Sequence, residues 1–172
     1  MNLLPKTNSH SGCEDDMQRE VAEVFHKQEF YVGAQFTGSY VTPKVYREIT
    51  IPEIGRRSDV IVQVTPRKIF NIECKIVDAN GVLSQAIDHL LWADYSYICL
   101  HDRAYIPTYI VRNMLKHGIG LLLWREGALT EAFGADYNKS KDKKLRERVM
   151  KRLREIDREN TAKNHIQKKL GL

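Results

Sequence analysis

The spacing of apolar residues changes several times along the chain, and each spacing predicts a helix or a strand. Apolar residues at helical spacing from Glu14 predict a first helix that ends near Gln28. Runs rich in Val and Ile with alternating positions predict strands, and longer amphipathic stretches predict further helices. The predicted strands are 45–51, 58–65, 68–77, 95–100 and 120–124, and the predicted helices between them are 81–93 and 107–117.

A long charged helix is predicted beyond Tyr137. One stripe of it is apolar, formed by Leu145, Val149, Leu153 and Ile156. Three uses of this helix are compatible with the pattern: it binds a nucleic-acid backbone, it dimerises through the stripe, or it packs back on the rest of the chain.

The order of these elements predicts the fold class. A helix, three strands and then alternating helices and strands indicate an α/β protein with a mixed central sheet and helices packed on its faces. We expect a flexible leader at 1–13, a main domain at 14–137 and a helical extension at 138–172.

The amino-acid composition indicates the class of protein and its cellular location. Hydrophobic residues make up 42% and charged residues 28% of 172 residues, which indicates one globular domain with a core of its own. No apolar stretch approaches membrane-spanning length, and the N-terminal residues lack a secretory signal pattern. The three cysteines lack zinc-ligand spacing. We therefore expect reduced thiols, a cytoplasmic location and no membrane association.

The net charge of +5 is distributed unevenly. Residues 138–172 carry a net charge of +8, whereas residues 1–137 carry −3. A basic segment on a slightly acidic body suggests a polyanionic partner, although a solvated basic helix would have the same composition. The nucleic-acid contacts that we predict on this helix are Lys144, Arg148, Lys151 and Arg152.

Two acidic residues stand inside hydrophobic strands. Asp59 precedes a run of Val and Ile, and Glu73 lies between apolar residues of the next strand, two positions before Lys75. Buried carboxylates that share a site repel each other unless a cation compensates them, and Mg²⁺ binds to one or two carboxylates while keeping waters for phosphate. Lys75 would project from the same face as Glu73 and stabilise charge on a phosphate. The alternative is a structural ion pair of Glu73 with Lys75.

These residues resemble the PD-(D/E)xK nuclease superfamily, which includes restriction endonucleases, Holliday junction resolvases and RecB-type nucleases. The match consists of Asp59, a spacer of thirteen residues and then Glu73-Cys74-Lys75, on adjacent hydrophobic strands. The resemblance covers roughly 14–100 and implies a restriction-endonuclease-like αβββαβ core, with 107–124 as its second half. It also implies a Mg²⁺ cofactor that Mn²⁺ can replace, and hydrolysis of phosphodiester bonds in DNA.

Two further residues fit the resemblance, and two depart from it. Glu20 matches a helical Glu that completes the metal site, with Glu23 as the alternative, and Gln85 matches the Gln that RecB-like members carry after the Glu-x-Lys strand. Ser58 stands where many members have Pro, and His89 stands where RecB-like proteins have Tyr. His89 either contacts substrate or an active-site water, or it is a surface or core histidine.

The function implied by the resemblance is that of a Mg²⁺-dependent DNA endonuclease with catalytic residues Asp59, Glu73, Lys75, Glu20 and Gln85. A structure-selective or repair role suits a chain with no evident sequence-reading segment, and Arg56 and Arg57 would contact phosphate at the mouth of the site. A homodimer would supply two sites, the simplest arrangement for cutting both strands of a duplex. The alternatives are a catalytically inactive nucleic-acid-binding protein with the same fold, or a scaffold protein that docks through its basic helix.

Overall fold

The computed structural model describes residues 13–32 and 38–170 of the chain. They form four α-helices, one short 3-10 helix and eight strands. In chain order these are α1 (Glu14–His26), β1 (Phe30–Val32), β2 (Ser39–Val41), β3 (Lys44–Ile51), the 3-10 helix (Pro52–Ile54), β4 (Arg56–Thr65), β5 (Lys68–Lys75), α2 (Ala79–His89), β6 (Tyr95–His101), α3 (Thr108–His117), β7 (Gly120–Arg125), β8 (Ala128–Phe133) and α4 (Lys143–Leu170).

Six of the strands form one mixed sheet whose spatial order follows the chain, from β3 to β8. Strands β3, β4 and β5 form an antiparallel meander. Strands β5, β6 and β7 are parallel, and β8 returns antiparallel to β7. Parallel neighbours need crossover connections, which α2 and α3 supply. The predicted α/β class with a mixed sheet is confirmed.

The two faces of the sheet are covered by different helices. On one face α1 buries Met17 and Val21 against apolar residues of the central strands, including Val60 and Ile72. On the other face α2 and α3 pack over β6 and β7, and α4 packs over β3, β4 and β5. Side chains that alternate along each strand therefore lie either on the α1 face or on the α2 face.

The apolar stripe of α4 is used within the chain. Leu145, Val149 and Leu153 are buried against Tyr46, Ile61 and other residues of the meander, and Ile156 is partly buried beside them. Of the three uses that the sequence allowed for this helix, packing back on the body is the one that the structure confirms.

A buried carboxylate holds the start of α4 in place. Asp94 accepts hydrogen bonds from the Ile69 backbone at 2.9 Å and from Arg146 at 2.6 Å. The Lys141 ammonium lies 3.0 Å from its other oxygen. The Asp94 carboxylate therefore connects the segment before α4, α4 itself and the start of β5.

Several predicted element boundaries were wrong by two to four residues. Helix α1 ends at His26, before Gln28, and β5 ends at Lys75, before Val77. Asp78 accounts for the second difference, because its side chain accepts from the Asn80 and Gly81 backbones and so starts α2 at Ala79. Helix α2 then ends at His89, and the rest of the predicted 81–93 helix is a turn.

Three strands were missing from the predicted order. Strands β1 and β2 form a separate antiparallel pair, and β8 completes the main sheet. The turn before β8 contains Glu126 and Gly127, with φ of 46° and 81°. Two consecutive positive φ angles are typical of the tight turn that joins a two-residue hairpin.

Two expectations concern segments at the limits of the description. The predicted leader 1–13 lies outside the described residues apart from Cys13, which is the N-cap of α1. Among the helices of residues 13–32 and 38–170, none combines the length and the apolar character needed to cross a bilayer.

Candidate metal centre

Strands β4 and β5 separate at Asp59. Their backbone pairing runs up to Val60 and Ile72, and one step further along the same register Asp59 stands opposite Glu73. The Asp59 carboxylate accepts a hydrogen bond from the Cys74 N–H at 2.8 Å, so a side chain takes the place of a backbone acceptor. This brings the two carboxylates to adjacent strands at one point of the sheet.

The backbone of β4 departs from strict alternation at the same residue. Ser58 donates to Asn71, which is linked through Ser96 to the Ala86 carbonyl of α2, so Ser58 lies on the α2 face. Val60 packs in the core on the α1 face. Residues two apart on a regular strand share a face. The irregularity at Asp59 therefore turns its side chain toward the gap between the strands.

Both carboxylates are buried, and one has no partner. Asp59 is 8% exposed and Glu73 is 0% exposed, and neither oxygen of Glu73 has a hydrogen-bond partner within the described chain. Burial, followed by the charge of Asp59, raises the pKa of Glu73 to about 8. Burial also raises the pKa of Asp59, while the hydrogen bond from Cys74 opposes that change.

Lys75 places a positive charge near Asp59. It ends β5 with its Nζ 2.8 Å from Oε1 of Glu14, at the start of α1. That hydrogen bond raises the pKa of Lys75, and the charge of Asp59 acts in the same direction. In the described part of the chain Lys75 pairs with Glu14 and makes no ion pair with Glu73, so the structural pair considered as an alternative is not formed.

The donor set fits a hard divalent cation. Two buried carboxylates on adjacent strands would both be stabilised by a cation between them, and Mg²⁺ accepts such a site when waters and phosphate complete its ligands. Within residues 13–32 and 38–170, no cluster of three or more His, Cys, Asp or Glu side chains forms a complete metal cage. A pair of carboxylates leaves ligand positions open for water and phosphate, as Mg²⁺ sites do, whereas Zn²⁺ takes three or four protein ligands.

The structure does not bring Glu20 to the carboxylate pair. Glu20 lies on the α1 face, where Oε2 accepts a hydrogen bond from the Trp124 indole at 2.9 Å. Trp124 is on β7, two strands from β5, which corresponds to roughly 10 Å across the sheet. The alternative residue Glu23 is exposed. Helix α1 contributes Glu14 to the site, six residues before the residue that the sequence suggested.

Helix α2 brings His89 to the site and Gln85 near it. His89 is fully buried, and its Nε2 lies 3.2 Å from Oε1 of Glu73, without hydrogen-bond alignment. Burial lowers the pKa of His89 to about 4. His89 is thus a core histidine that also faces the candidate site. Gln85, one turn earlier, is half-buried, and its predicted role stays a prediction.

Two arginines flank the pair, and both are engaged in ion pairs. Arg56 Nε lies 2.7 Å from Asp88 on α2, and Arg57 Nη1 lies 3.2 Å from Glu48 on β3. The charge of Arg57 lowers the pKa of Asp59 in opposition to burial. Their positions agree with the predicted mouth of the site, whereas contact with phosphate remains a prediction.

Glu48 is a site neighbour that the sequence pattern did not indicate. It has φ of 53°, and the pairing between β3 and β4 is interrupted at this residue, directly opposite Asp59. A positive φ is uncommon for a residue with a side chain and costs of order 1–3 kcal/mol. Two neighbouring strands therefore become irregular at the same level, on either side of the candidate site.

The predicted nucleic-acid contacts on α4 lie on its solvent side. Lys144, Arg148 and Lys151 line a shallow groove together with Glu147 and Arg154. Arg152 lies beside the end of β3, next to Thr50 and Pro52. Arg148 and Arg152 lie 3.9 Å and 3.7 Å from Glu53 and Glu155, at surface distances where ion pairs contribute little.

Comparisons with known proteins concern the fold alone. No protein-family model matches the chain, and no curated protein matches it. Among solved structures, the chain is similar to a protein of unknown function from Silicibacter pomeroyi, with a TM-score of 0.50 and 20% sequence identity over 73% of this chain and 77% of that one. The likeness supports the arrangement of strands and helices and says nothing about activity.

Proposed function

We propose that the chain is a metal-dependent nuclease that hydrolyses phosphodiester bonds in DNA. The observation that supports this most strongly is the pair of opposed, buried carboxylates, Asp59 and Glu73, with the Lys75 ammonium near Asp59. Neither oxygen of Glu73 makes an aligned hydrogen bond, and among the described residues no Lys or Arg forms an ion pair with Asp59 or Glu73. A fold that buries two acids in this way gains most when a cation binds between them.

In this proposal each residue has one task. Asp59 and Glu73 hold Mg²⁺, which would neutralise phosphate charge and make a water molecule a stronger nucleophile. Lys75 stays protonated because of Glu14, and it donates to a phosphate oxygen as negative charge develops there. Attack of water on phosphorus forms one P–O bond while the bond to the leaving sugar oxygen breaks. The attacking water loses one proton to the solvent, and the leaving oxygen takes up one proton from it.

The choice of DNA rests on the superfamily resemblance and on the charge of α4. The solvent side of this helix carries the cations of residues 138–172, which have a net charge of +8. Cations along one helix face suit a phosphate backbone, and each one that neutralises a phosphate makes binding weaker at higher salt. A homodimer remains part of the proposal, but its interface would not be the buried apolar stripe of α4.

The decisive experiment measures cleavage of plasmid, linear duplex and branched DNA by the wild type and by Lys75→Ala. Lys116→Ala, an exposed lysine on α3, is the matched control. We expect cleavage that requires Mg²⁺ or Mn²⁺, is abolished by EDTA, falls by about 10²- to 10³-fold in Lys75→Ala and is unchanged in the control. The substrate that is cut fastest would identify the structural preference.

A wild-type protein that binds DNA and cuts none of these substrates with either metal would contradict the proposal. That result would favour the alternative of a nucleic-acid-binding protein without catalysis. Loss of cleavage in Lys116→Ala as large as in Lys75→Ala would also contradict the role assigned to Lys75, since the effect would then follow from net charge alone.

A further inference from the structure

The buried polar residues behind Glu73 form a chain of directed contacts. His89 is the last residue of α2, and its Nε2 lies 3.2 Å from Oε1 of Glu73. Both side chains are fully buried, so bulk water does not compete with this contact. Neither Nε2 nor the Glu73 oxygens make an aligned hydrogen bond in residues 13–32 and 38–170. The other polar groups beside them are the Arg57 backbone for His89, and the Asn71 side chain and Asp59 backbone for Glu73.

The orientation of the His89 ring is fixed from its other side. The Trp92 indole donates a hydrogen bond to His89 Nδ1 at 2.9 Å. An indole N–H is a donor only, so Nδ1 must carry a lone pair and the ring proton must be on Nε2. The N–H group at Nε2 therefore faces Glu73.

Trp92 is itself held rigidly. It is fully buried in the apolar cluster that α4 covers, and its backbone carbonyl accepts a hydrogen bond from Arg146 at 2.9 Å. The Trp92 and His89 rings meet edge to face, with centroids 5.6 Å apart and planes at 84°. A second set of contacts, from Ala86 through Ser96 to Asn71, holds α2 against β5 and β6.

We infer that His89 is a positioning residue for the metal centre: its Nε2–H orients Oε1 of Glu73 so that the remaining oxygen faces a cation shared with Asp59. This inference rests on the metal site of the proposed function. His89 neither binds the metal nor touches the substrate. The terminal torsion of a glutamate is broad, so a small rotation of Glu73 aligns the contact when a cation binds. Partners behind a ligand of this kind typically change metal affinity by about 10- to 100-fold.

The test is Mn²⁺ binding, measured from the electron paramagnetic resonance signal of free Mn²⁺, together with DNA cleavage as a function of Mn²⁺ concentration. The variants are His89→Leu, which removes the donor, and His89→Gln, which keeps an N–H at a similar distance. Trp92→Phe removes the group that fixes the ring proton. Ile98→Val is the matched control, because Ile98 is buried in the cluster beneath α2 and has no polar contact with the site.

We expect His89→Leu to weaken Mn²⁺ binding by about 10- to 100-fold, and His89→Gln to recover most of it. Trp92→Phe should show a smaller weakening, and Ile98→Val should bind Mn²⁺ like the wild type although it is less stable. Cleavage by His89→Leu should approach the wild-type rate at saturating Mn²⁺. A general loss of stability would not produce this order, because it would affect Ile98→Val and would not be reversed by His89→Gln.

Each outcome decides a different question. Binding by His89→Leu within twofold of the wild type, or no recovery in His89→Gln, would overturn the positioning role while leaving the nuclease intact. Mn²⁺ binding that depends on His89 in a protein that cuts no DNA would support the inference and contradict the proposed function. A wild type that does not bind Mn²⁺ would overturn both.

Discussion

Two buried carboxylates, Asp94 and Glu73, differ in whether cations of the protein neutralise their charge. Asp94 is 1% exposed and is bonded by Lys141, Arg146 and the Ile69 backbone. Glu73 is also buried, but it faces another carboxylate, no Lys or Arg of the described residues pairs with it, and its contact with His89 is not an aligned hydrogen bond. A buried acid whose charge is matched by the protein's own cations stabilises the fold, whereas one left unmatched leaves room for an external cation.

The largest effect that would test this contrast is expected at Asp94. Asp94→Ala leaves Lys141 and Arg146 without their counter-charge and the Ile69 N–H without an acceptor, so we expect the free energy of unfolding to fall by about 3–5 kcal/mol. Glu155→Ala, which removes an exposed pair on α4, should cost less than about 1 kcal/mol. Urea denaturation of both variants measures the difference, and similar losses in the two would refute the structural role of Asp94.

The next effect concerns the pH dependence of metal-free stability. The folded-state pKa of Glu73 is raised from 4.5 to about 8, so the folded chain holds more protons than the unfolded chain in that window, and stability falls as pH rises. The pKa of His89 is lowered from 6.5 to about 4, so its contribution rises with pH up to 6.5. The two contributions oppose each other below pH 6.5, and Glu73 acts alone above it.

We therefore expect the metal-free protein in EDTA to lose stability between pH 6.5 and 8, with a slope of up to about 1.4 kcal/mol per pH unit. Glu73→Gln should remove this slope and be more stable than the wild type at pH 8. Mg²⁺ should also reduce the slope, because it favours the ionised carboxylate. Thermal melts at a series of pH values measure this, and an unchanged slope in Glu73→Gln would place its origin elsewhere.

The smallest expected effect distinguishes two glutamates of α1, Glu14 and Glu20. Glu14→Gln weakens the partner of Lys75 and removes a charge close to Asp59, so we expect cleavage to fall by up to about tenfold. Glu20→Gln keeps an oxygen that can accept from the Trp124 indole, so cleavage should stay within about twofold of the wild type. Rates at saturating Mg²⁺ provide the comparison, and a larger loss in Glu20→Gln would restore that residue to the site.

Much of the sheet and the central part of the site followed from the sequence. The strands around Asp59 and Glu73 are long apolar runs, and their pairing through a tight turn at Pro66 brings the two acids to the same level. Residues in such a hairpin are close in sequence, so local patterning was enough to place them. The same reasoning put Cys74 in the core, opposite Glu73, and the structure confirms it.

The remaining parts depend on contacts that local patterns do not encode. Which acid of α1 meets Lys75 depends on where the helix crosses the sheet, and Glu14 and Glu20 both suit a helix equally well. His89 faces Glu73 because α2 is held against β6 by the hydrogen bond from Ser96 to the Ala86 carbonyl. The apolar pattern of neither element specifies this contact. Strand β8 has four apolar residues in six, but they do not alternate with polar ones and most of the strand is exposed, so the turn at Glu126 and Gly127 is the clearest local signal for it.

The packing of α4 has a consequence for the order in which the molecule is assembled. During synthesis the strands of the sheet emerge before α4, and the apolar surface around Trp92 stays uncovered until Leu145, Val149 and Leu153 have been made. Trp92, which fixes the ring of His89, is therefore among the last residues of the core to be covered. Chains halted before residue 143 would contain every described strand and yet expose the apolar surface around Trp92, which favours aggregation.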